Sequence, residues 1–325
     1  MDKNDLELFI TIVKMNQTTL LKSMVKLLKQ YYSKNKIRAT SKYILCEGEI
    51  NTPIMLTAHM DTVFKSPPKH IYYDKEQHIM WSPEGLGADD RAGIFAIIKI
   101  LQAGYRPAIC LTTDEEKGSL GAEKMLIDIP HSPFKLKYII ELDRRGENDC
   151  VFYGCNNEKF IDFVEKFGFL TNWGTFSDIS SICPFWEVAG VNLSVGYENE
   201  HSKTEFLNTE ALYLTIQKVK NMLNEKDAPY FEYVEDDFSW YYYPYISAIQ
   251  TKKMHQCSGC YKIFSTDDVF LVKTKDKKKK YYCIDCVSDN VNWCEKCGEP
   301  FEITSPNEVV CPDCANNILD IKNGK

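Results

Sequence analysis

The 325-residue chain lacks any run of uncharged apolar residues approaching the roughly 18 that a membrane helix needs, so no helical span is expected. Its opening, MDKNDLELFITIVKMNQ, lacks a basic segment followed by a long apolar stretch. No secretory signal is therefore expected, and the expected location is the cytoplasm. A basic surplus is missing too: 39 Lys and Arg face 46 Asp and Glu, for a formal net charge of -7. Binding to nucleic acid is disfavoured, because neutralising phosphates requires a basic surface. There is no internal repeat beyond a set of C-x-x-C pairs, and the one low-complexity patch is KTKDKKKK, Lys273 to Lys280.

With 44% apolar residues, the chain can bury one α/β core and still carry a smaller appendage. Apolar side chains fall at helical spacing from Leu6 to Tyr32. Strand-like segments follow at 43–47, 53–58, 108–113, 138–142, 150–153 and 191–195, separated by helical patterns at 91–102, 121–127, 158–167 and 209–224. This alternation predicts a three-layer α/β/α sandwich around a mixed central sheet. The expected division is a catalytic domain over 1–228, an aromatic and acidic connector over 229–250, and a small zinc-ribbon or knuckle module over 251–325. The connector is too rich in aromatics for a flexible linker and is expected to pack against a neighbouring surface.

Several strand ends carry acids or a histidine, and strand ends are where α/β folds build their active sites. In MLTAHMDTVF, the alternation of His59 and Asp61 points both side chains to one face of an extended chain. The imidazole can bind a metal while the carboxylate orients it. GLGADDRAGI places Asp89 and Asp90 at a helix start, where a cap and first-turn charges would read the same way. CLTTDEEKGSLGA carries Asp114, Glu115 and Glu116 after an apolar strand; YIIELDRRG ends another strand with Asp143; and GYENEHSKTE adds His201. Each segment alone has a plain structural reading, but the ordered set is specific.

HMDTV, GADDRAGI, TTDEEKGSLGA, the ELD segment and a late histidine resemble the co-catalytic di-zinc exopeptidases, a superfamily that includes tripeptidase T-like, glutamate carboxypeptidase-like and zinc aminopeptidase-like enzymes. The resemblance spans about residues 50 to 210. It implies that His59 and Asp143 bind one metal and Glu116 and His201 a second, with Asp89 bridging them through a cis peptide to Asp90. It further implies that Glu115 is the general base, that Asp61 supports His59, and that Asp178 is a supporting acid near the late histidine. The cofactors implied are two catalytic zinc ions, with cobalt or manganese able to use the same ligands.

Relatives in the carboxypeptidase branch insert a lid domain between the two late ligands. The stretch from Arg144 to Glu200 has no room for one, which predicts a lidless, open site. The activity expected is hydrolysis of short peptides by water activated between two zinc ions. N-acyl amino acid deacylation at the same residues, or an inactive zinc-module adaptor, are the alternatives. Arg144 and Arg145 could meet a substrate carboxylate or serve as surface charges.

The 13 cysteines form two populations. Cys46, Cys110, Cys150, Cys155 and Cys183 are scattered, as buried small hydrophobes usually are. The pairs Cys257/Cys260, Cys283/Cys286, Cys294/Cys297 and Cys311/Cys314 are spaced as metal knuckles. Two structural zinc ions are expected, with sequential pairing favoured over a cross-braced arrangement. His255 reads as a bystander and the lysine run as a solvated hairpin tip. The module suits docking to a protein partner or self-association.

Overall fold

The helical spacing from Leu6 to Tyr32 resolves into two helices, α1 (Lys3–Val13) and α2 (Gln17–Tyr31). The break falls at Asn16, whose side chain accepts a hydrogen bond from the Thr19 N–H and so begins the second helix. Phe9, Ile12 and Val13 of α1 and Leu20, Leu21, Met24 and Leu28 of α2 are buried.

The remaining elements of this part of the chain are β1 (Ile37–Ala39), β2 (Tyr43–Cys46), β3 (Ile54–His59), β4 (Tyr72–Asp74), β5 (Ile79–Trp81), α3 (Ala88–Gln102), β6 (Ala108–Thr112), α4 (Leu120–Asp128), β7 (Tyr138–Arg144), β8 (Asp149–Val151), α5 (Glu158–Glu165), β9 (Leu170–Thr171), α6 (Asp178–Trp186), β10 (Gly190–Ser194), β11 (Tyr197–Glu198), β12 (Phe206–Asn208) and α7 (Thr209–Asn224). The computed structural model describes residues 1–235, 254–274, 279–295, 300–303, 308–311 and 314. Two units emerge, Met1–Arg38 with Lys42–Ile246, and Ala39–Ser41 with Ser247–Lys325.

The central sheet has eight strands in the order β1-β2-β6-β3-β7-β10-β8-β9. Its middle strands β6, β3, β7 and β10 run parallel, while β2 pairs antiparallel with β6 and β8 antiparallel with β10, so the sheet is mixed. Side chains alternate between its faces. Leu45, Met55, Cys110 and Ile139 pack with Ala122 and Met125 of α4 and Ile179, Ile182 and Trp186 of α6. Helices α1, α3 and α7 pack together, with α3 against β3 and β7 and α7 against β10. This is the predicted α/β/α sandwich.

Residues between Asp143 and His201 go into the central sheet, its helices and one short side strand, and contain no separate lid domain. The stretch between Asp61 and Asp89 contributes the β4–β5 hairpin, which joins β12 and β11 in a four-stranded side sheet. All five scattered cysteines are buried, as expected. The start of the connector packs as its aromatics suggest. Phe231 is buried with its ring 5.0 Å from that of Phe160 and 5.3 Å from that of Phe163. Residues 236–250 of the connector lie outside the described residues.

The second unit contains the hairpin β13 (Met254–Gln256) and β14 (Ile263–Ser265), and a sheet of β15 (Val269–Lys273), β16 (Lys279–Cys283), β17 (Val291–Trp293) and β18 (Pro300–Glu302), with α8 (Ile284–Asn290). Strands β15 and β16 pair antiparallel on either side of the lysine run, whose residues 275–278 lie outside the described residues. Lys280 pairs with Glu302 at 2.6 Å. Among the described residues, no helix is long and apolar enough to cross a membrane.

Candidate metal centre

The C-terminal ends of the parallel strands and the loops beyond them gather the acids and histidines. His59 is the last residue of β3, Asp143 lies near the end of β7, and Glu115 and Glu116 follow β6. Asp89 sits in the first turn of α3, and His201 lies in the loop between β11 and β12.

The two oxygens of Asp89 face opposite ways. Oδ1 lies 3.0 Å from His59 Nε2, which is also 3.5 Å from Asp143 Oδ1. Oδ2 lies 3.0 Å from His201 Nε2, which is equally 3.0 Å from Glu116 Oε2. Two donor triads, His59/Asp89/Asp143 and Asp89/Glu116/His201, therefore share one carboxylate; in a third, His59/Glu115/Glu116, the donor atoms likewise lie within 4.8 Å of one another. The structure brings together every one of these sequence-predicted residues.

Divalent cations fit this donor set. Each imidazole nitrogen faces two carboxylate oxygens, and a single N–H can point well at only one of them. A cation about 2.0–2.2 Å from each donor would satisfy all three at once. Glu116 Oε1 is buried without a hydrogen-bond partner, as a carboxylate shaped for an ion would be.

Electrostatics tell the same story. Burial works against a charged His59, yet Asp143, Asp61 and Asp89 outweigh it and raise its pKa. His201 is pushed up to about 11 by Asp89 and Glu116. Burial, reinforced by Asp89, lifts Asp143 to about 7, although His59 opposes the shift. Burial carries Glu115 up to about 9, with Asp143, Asp178 and Glu116 adding to the rise and His59 opposing it. A buried pocket this rich in acid keeps protons where cations could replace them.

The supporting contacts are specific. Asp61 lies 3.2 Å from His59 Nδ1, and its two oxygens accept the N–H groups of Glu115 at 3.0 Å and Glu116 at 3.2 Å. One side chain thus orients the imidazole and the acid-bearing loop together. Asp90 turns away from the donors, accepting from Gly93 N–H at 2.9 Å and His59 N–H at 3.2 Å, and the Asp89–Asp90 peptide is cis. Arg91, in the same segment, is buried and donates to the carbonyls of Met60 and Met15.

Three features escaped the sequence reading. Asn192 binds the main chain of Asp143 twice, accepting from its N–H at 2.9 Å and donating to its carbonyl at 2.8 Å. It does so where the β7–β10 register slips: Asn192 opposes Glu141 but Ser194 opposes Arg144, leaving Leu142 and Asp143 as a bulge. Gly93 permits the fit, since a Cβ there would lie 2.1 Å from the Leu142 carbonyl oxygen. Tyr197 donates to Asp143 Oδ1 at 3.0 Å. Glu205 is fully buried and accepts from the N–H groups of Gly87 and Asp89. A polar Asn inside the apolar run VNLSV was the one available signal for Asn192; Tyr197 and Glu205 offered none.

Asp178 was expected as a supporting acid near His201. Its carboxylate accepts from the Thr112 hydroxyl, and its electrostatic neighbours include His59 and Asp61. Arg145 pairs with Glu200 at 2.9 Å, and Arg144 donates to the Trp173 carbonyl at 3.1 Å, so both arginines are engaged within the protein.

In the second unit, the donor atoms of Cys257, Cys260, Cys283 and Cys286 converge, as do those of Cys294, Cys311 and Cys314. Cys297 lies outside the described residues. Grouping follows the sequential pattern, not the cross-braced one. Cys260 and Cys283 sulfurs lie 3.8 Å apart, the edge of a tetrahedron with about 2.3 Å zinc–sulfur bonds and far beyond a disulfide. Cys257 Sγ accepts the Cys283 N–H at 3.3 Å. Burial opposes ionisation of Cys257, but main-chain N–H groups at the knuckle lower its pKa to about 6. His255 stacks on Tyr281, and its Nε2 lies 3.0 Å from the Thr266 hydroxyl.

No protein-family model matches the chain, and no curated protein matches it. The fold, however, is similar to that of solved peptidases. Aminopeptidase PepT from Bacillus cereus ATCC 10987 aligns with a TM-score of 0.52 at 16% identity, covering 68% of this chain and 98% of that one. A tripeptidase from Staphylococcus aureus subsp. aureus Mu50 aligns with a TM-score of 0.52 at 15% identity, covering 68% and 97%. At such identities the likeness is one of fold.

Proposed function

We propose that this chain is a metal-dependent hydrolase that cleaves amide bonds of short peptides in the manner of an aminopeptidase. One observation carries the reading: a single carboxylate, Asp89, is shared between two triads of metal donors, with Glu115 among the neighbouring donor atoms. The similarity of the fold to an aminopeptidase and a tripeptidase supports peptides as the substrate class.

His59, Asp89 and Asp143 would hold one divalent ion, and Asp89, Glu116 and His201 the other; zinc suits the imidazole and carboxylate donors. Bound there, the pair would polarise the scissile carbonyl and acidify the attacking water towards a pKa of about 7. Glu115 takes the proton as the water oxygen adds to the carbonyl carbon. It then delivers that proton to the nitrogen as the C–N bond breaks, so the leaving group departs as a neutral amine. Transfer of this kind is worth about 10²–10⁴-fold. Burial of Glu115, which favours its protonated form, suits the delivery step. Asp61 keeps His59 and the Glu115 loop in fixed relation. The His201 side chain is 52% exposed, consistent with a substrate end that enters from solvent.

In the same reading, the C-terminal unit carries two structural zinc ions. One is held by Cys257, Cys260, Cys283 and Cys286, the other by Cys294, Cys311, Cys314 and, by its sequence position, Cys297.

The test is to screen the purified full chain, with metal content measured, against aminoacyl, dipeptide, tripeptide and N-acyl amino acid substrates. Cleavage that begins at a free amino terminus is expected. A fully metal-loaded protein that hydrolyses none of them would overturn the assignment, and preference for N-acyl compounds would move it to deacylation.

A further inference from the structure

Glu205 is a fully buried acid that takes no part in the proposed chemistry. Its oxygens are occupied by main-chain donors: Oε2 accepts from the Gly87 N–H, and Oε1 accepts from the Asp89 N–H at 3.2 Å. The local reason lies at the start of α3. The first N–H groups of a helix have no partner inside it; here Gly87, at the capping position, has no side chain to offer, and Asp89 and Asp90 depart from helical backbone angles, so these N–H groups need an acceptor from elsewhere. Gly87 adopts a left-handed φ of 71°. The acceptor is supplied from 118 residues away.

The loop that supplies it also carries His201. Glu205 N–H donates to the Ser202 carbonyl at 3.2 Å, and the Ser202 hydroxyl donates to the Asn199 carbonyl at 2.7 Å, closing residues 199–205 on themselves. One closed loop therefore grips Asp89 twice. His201 Nε2 meets its carboxylate at 3.0 Å, and Glu205 holds its main-chain N–H.

We propose that Glu205 is a positioning residue that couples the His201 loop to Asp89 and sets the affinity of the ion site formed by Asp89, Glu116 and His201. The inference rests on the two-ion reading above. His59 and Asp143 stand on central strands with their own supports in Asp61, Asn192 and Tyr197, so the site they form with Asp89 depends less on the loop.

The test uses the full chain, stripped with chelator and titrated with cobalt(II) as the probe. Cobalt on thiolates absorbs by sulfur-to-metal charge transfer and cobalt on imidazole and carboxylate does not, so the cysteine sites and the proposed centre are counted separately. Wild type is expected to take up two ions outside the thiolate sites. Glu205→Ala should hold the first of these as wild type does and bind the second about 10–100-fold more weakly, the usual cost of losing a group that orients a ligand. Glu205→Gln, which keeps one acceptor oxygen, should fall between, and it decides the matter should the alanine variant fail to fold. If both folded variants bind both ions with wild-type affinity, the coupling role is overturned while the two-ion reading stands. If wild type itself takes up no cobalt beyond the thiolate sites, the two-ion reading falls and this inference with it.

Discussion

The two sets of candidate metal ligands solve opposite problems. In the C-terminal unit the candidate ligands arrive as neighbours: Cys257/Cys260 and Cys283/Cys286 each deliver two sulfurs, and the four lie within 4.8 Å of one another. In the α/β unit they come from residues 59 to 201 on separate strands and loops, mix imidazole with carboxylate, and include a histidine whose side chain is half exposed. A closed thiolate set supplies folding energy, whereas an incomplete mixed set leaves positions for water and substrate. On the proposed function, proximity in sequence goes with structure here, and convergence from a distance goes with chemistry.

That contrast can be broken by experiment. The largest effect should come from stripping metal with a strong chelator: amide hydrolysis should vanish and return on adding zinc. Activity that survives verified loss of metal from the α/β unit would end the comparison. Next, Glu115→Gln should lower kcat by about 10²–10⁴-fold with metal content unchanged, because only proton transfer is lost; ion loss in this variant would make Glu115 a ligand instead. Asn192→Ala frees the main chain of Asp143 at the bulge and should weaken ion binding about 10–100-fold, read by chelator competition. Smallest for turnover is Cys283→Ser. It should leave kcat within error while removing one zinc from the chain and exposing the C-terminal unit to proteolysis; a large drop in kcat would mean that the cysteine clusters serve the reaction.

The sequence reading succeeded wherever a local pattern had a single physical meaning. Apolar runs of parallel-sheet length gave the central strands, and α7 matches its periodic segment at both ends, Thr209 and Asn224. His59, Asp89, Glu116, Asp143 and His201 could be singled out because they lie at strand ends, at a helix start or in the loops beyond, and the structure brings their donor atoms together. Elements of two or three residues, such as β4, β5, β11 and β12, are too short to express a period of two, so the side sheet was invisible. Helix α6 carries Pro184 and two serines within nine residues, which hides its helical spacing. Glu205 could not be found because its role is to answer donors on a distant helix, and nothing next to it in sequence records that need. The partner of Asp178, the Thr112 hydroxyl, lies far from it in sequence, and the residues around Asp178 do not reveal it.

The extra residue at Leu142–Asp143 sets two consecutive positions of this strand against one neighbour, Leu193, between the pairs Glu141–Asn192 and Arg144–Ser194. Removing Leu142 would leave one residue opposite Leu193 and Arg144 still opposite Ser194, flattening the bulge without turning the rest of the strand over. What would go is the offset at which the Asn192 amide holds both main-chain groups of Asp143. This strand can therefore vary in its letters more readily than in its length.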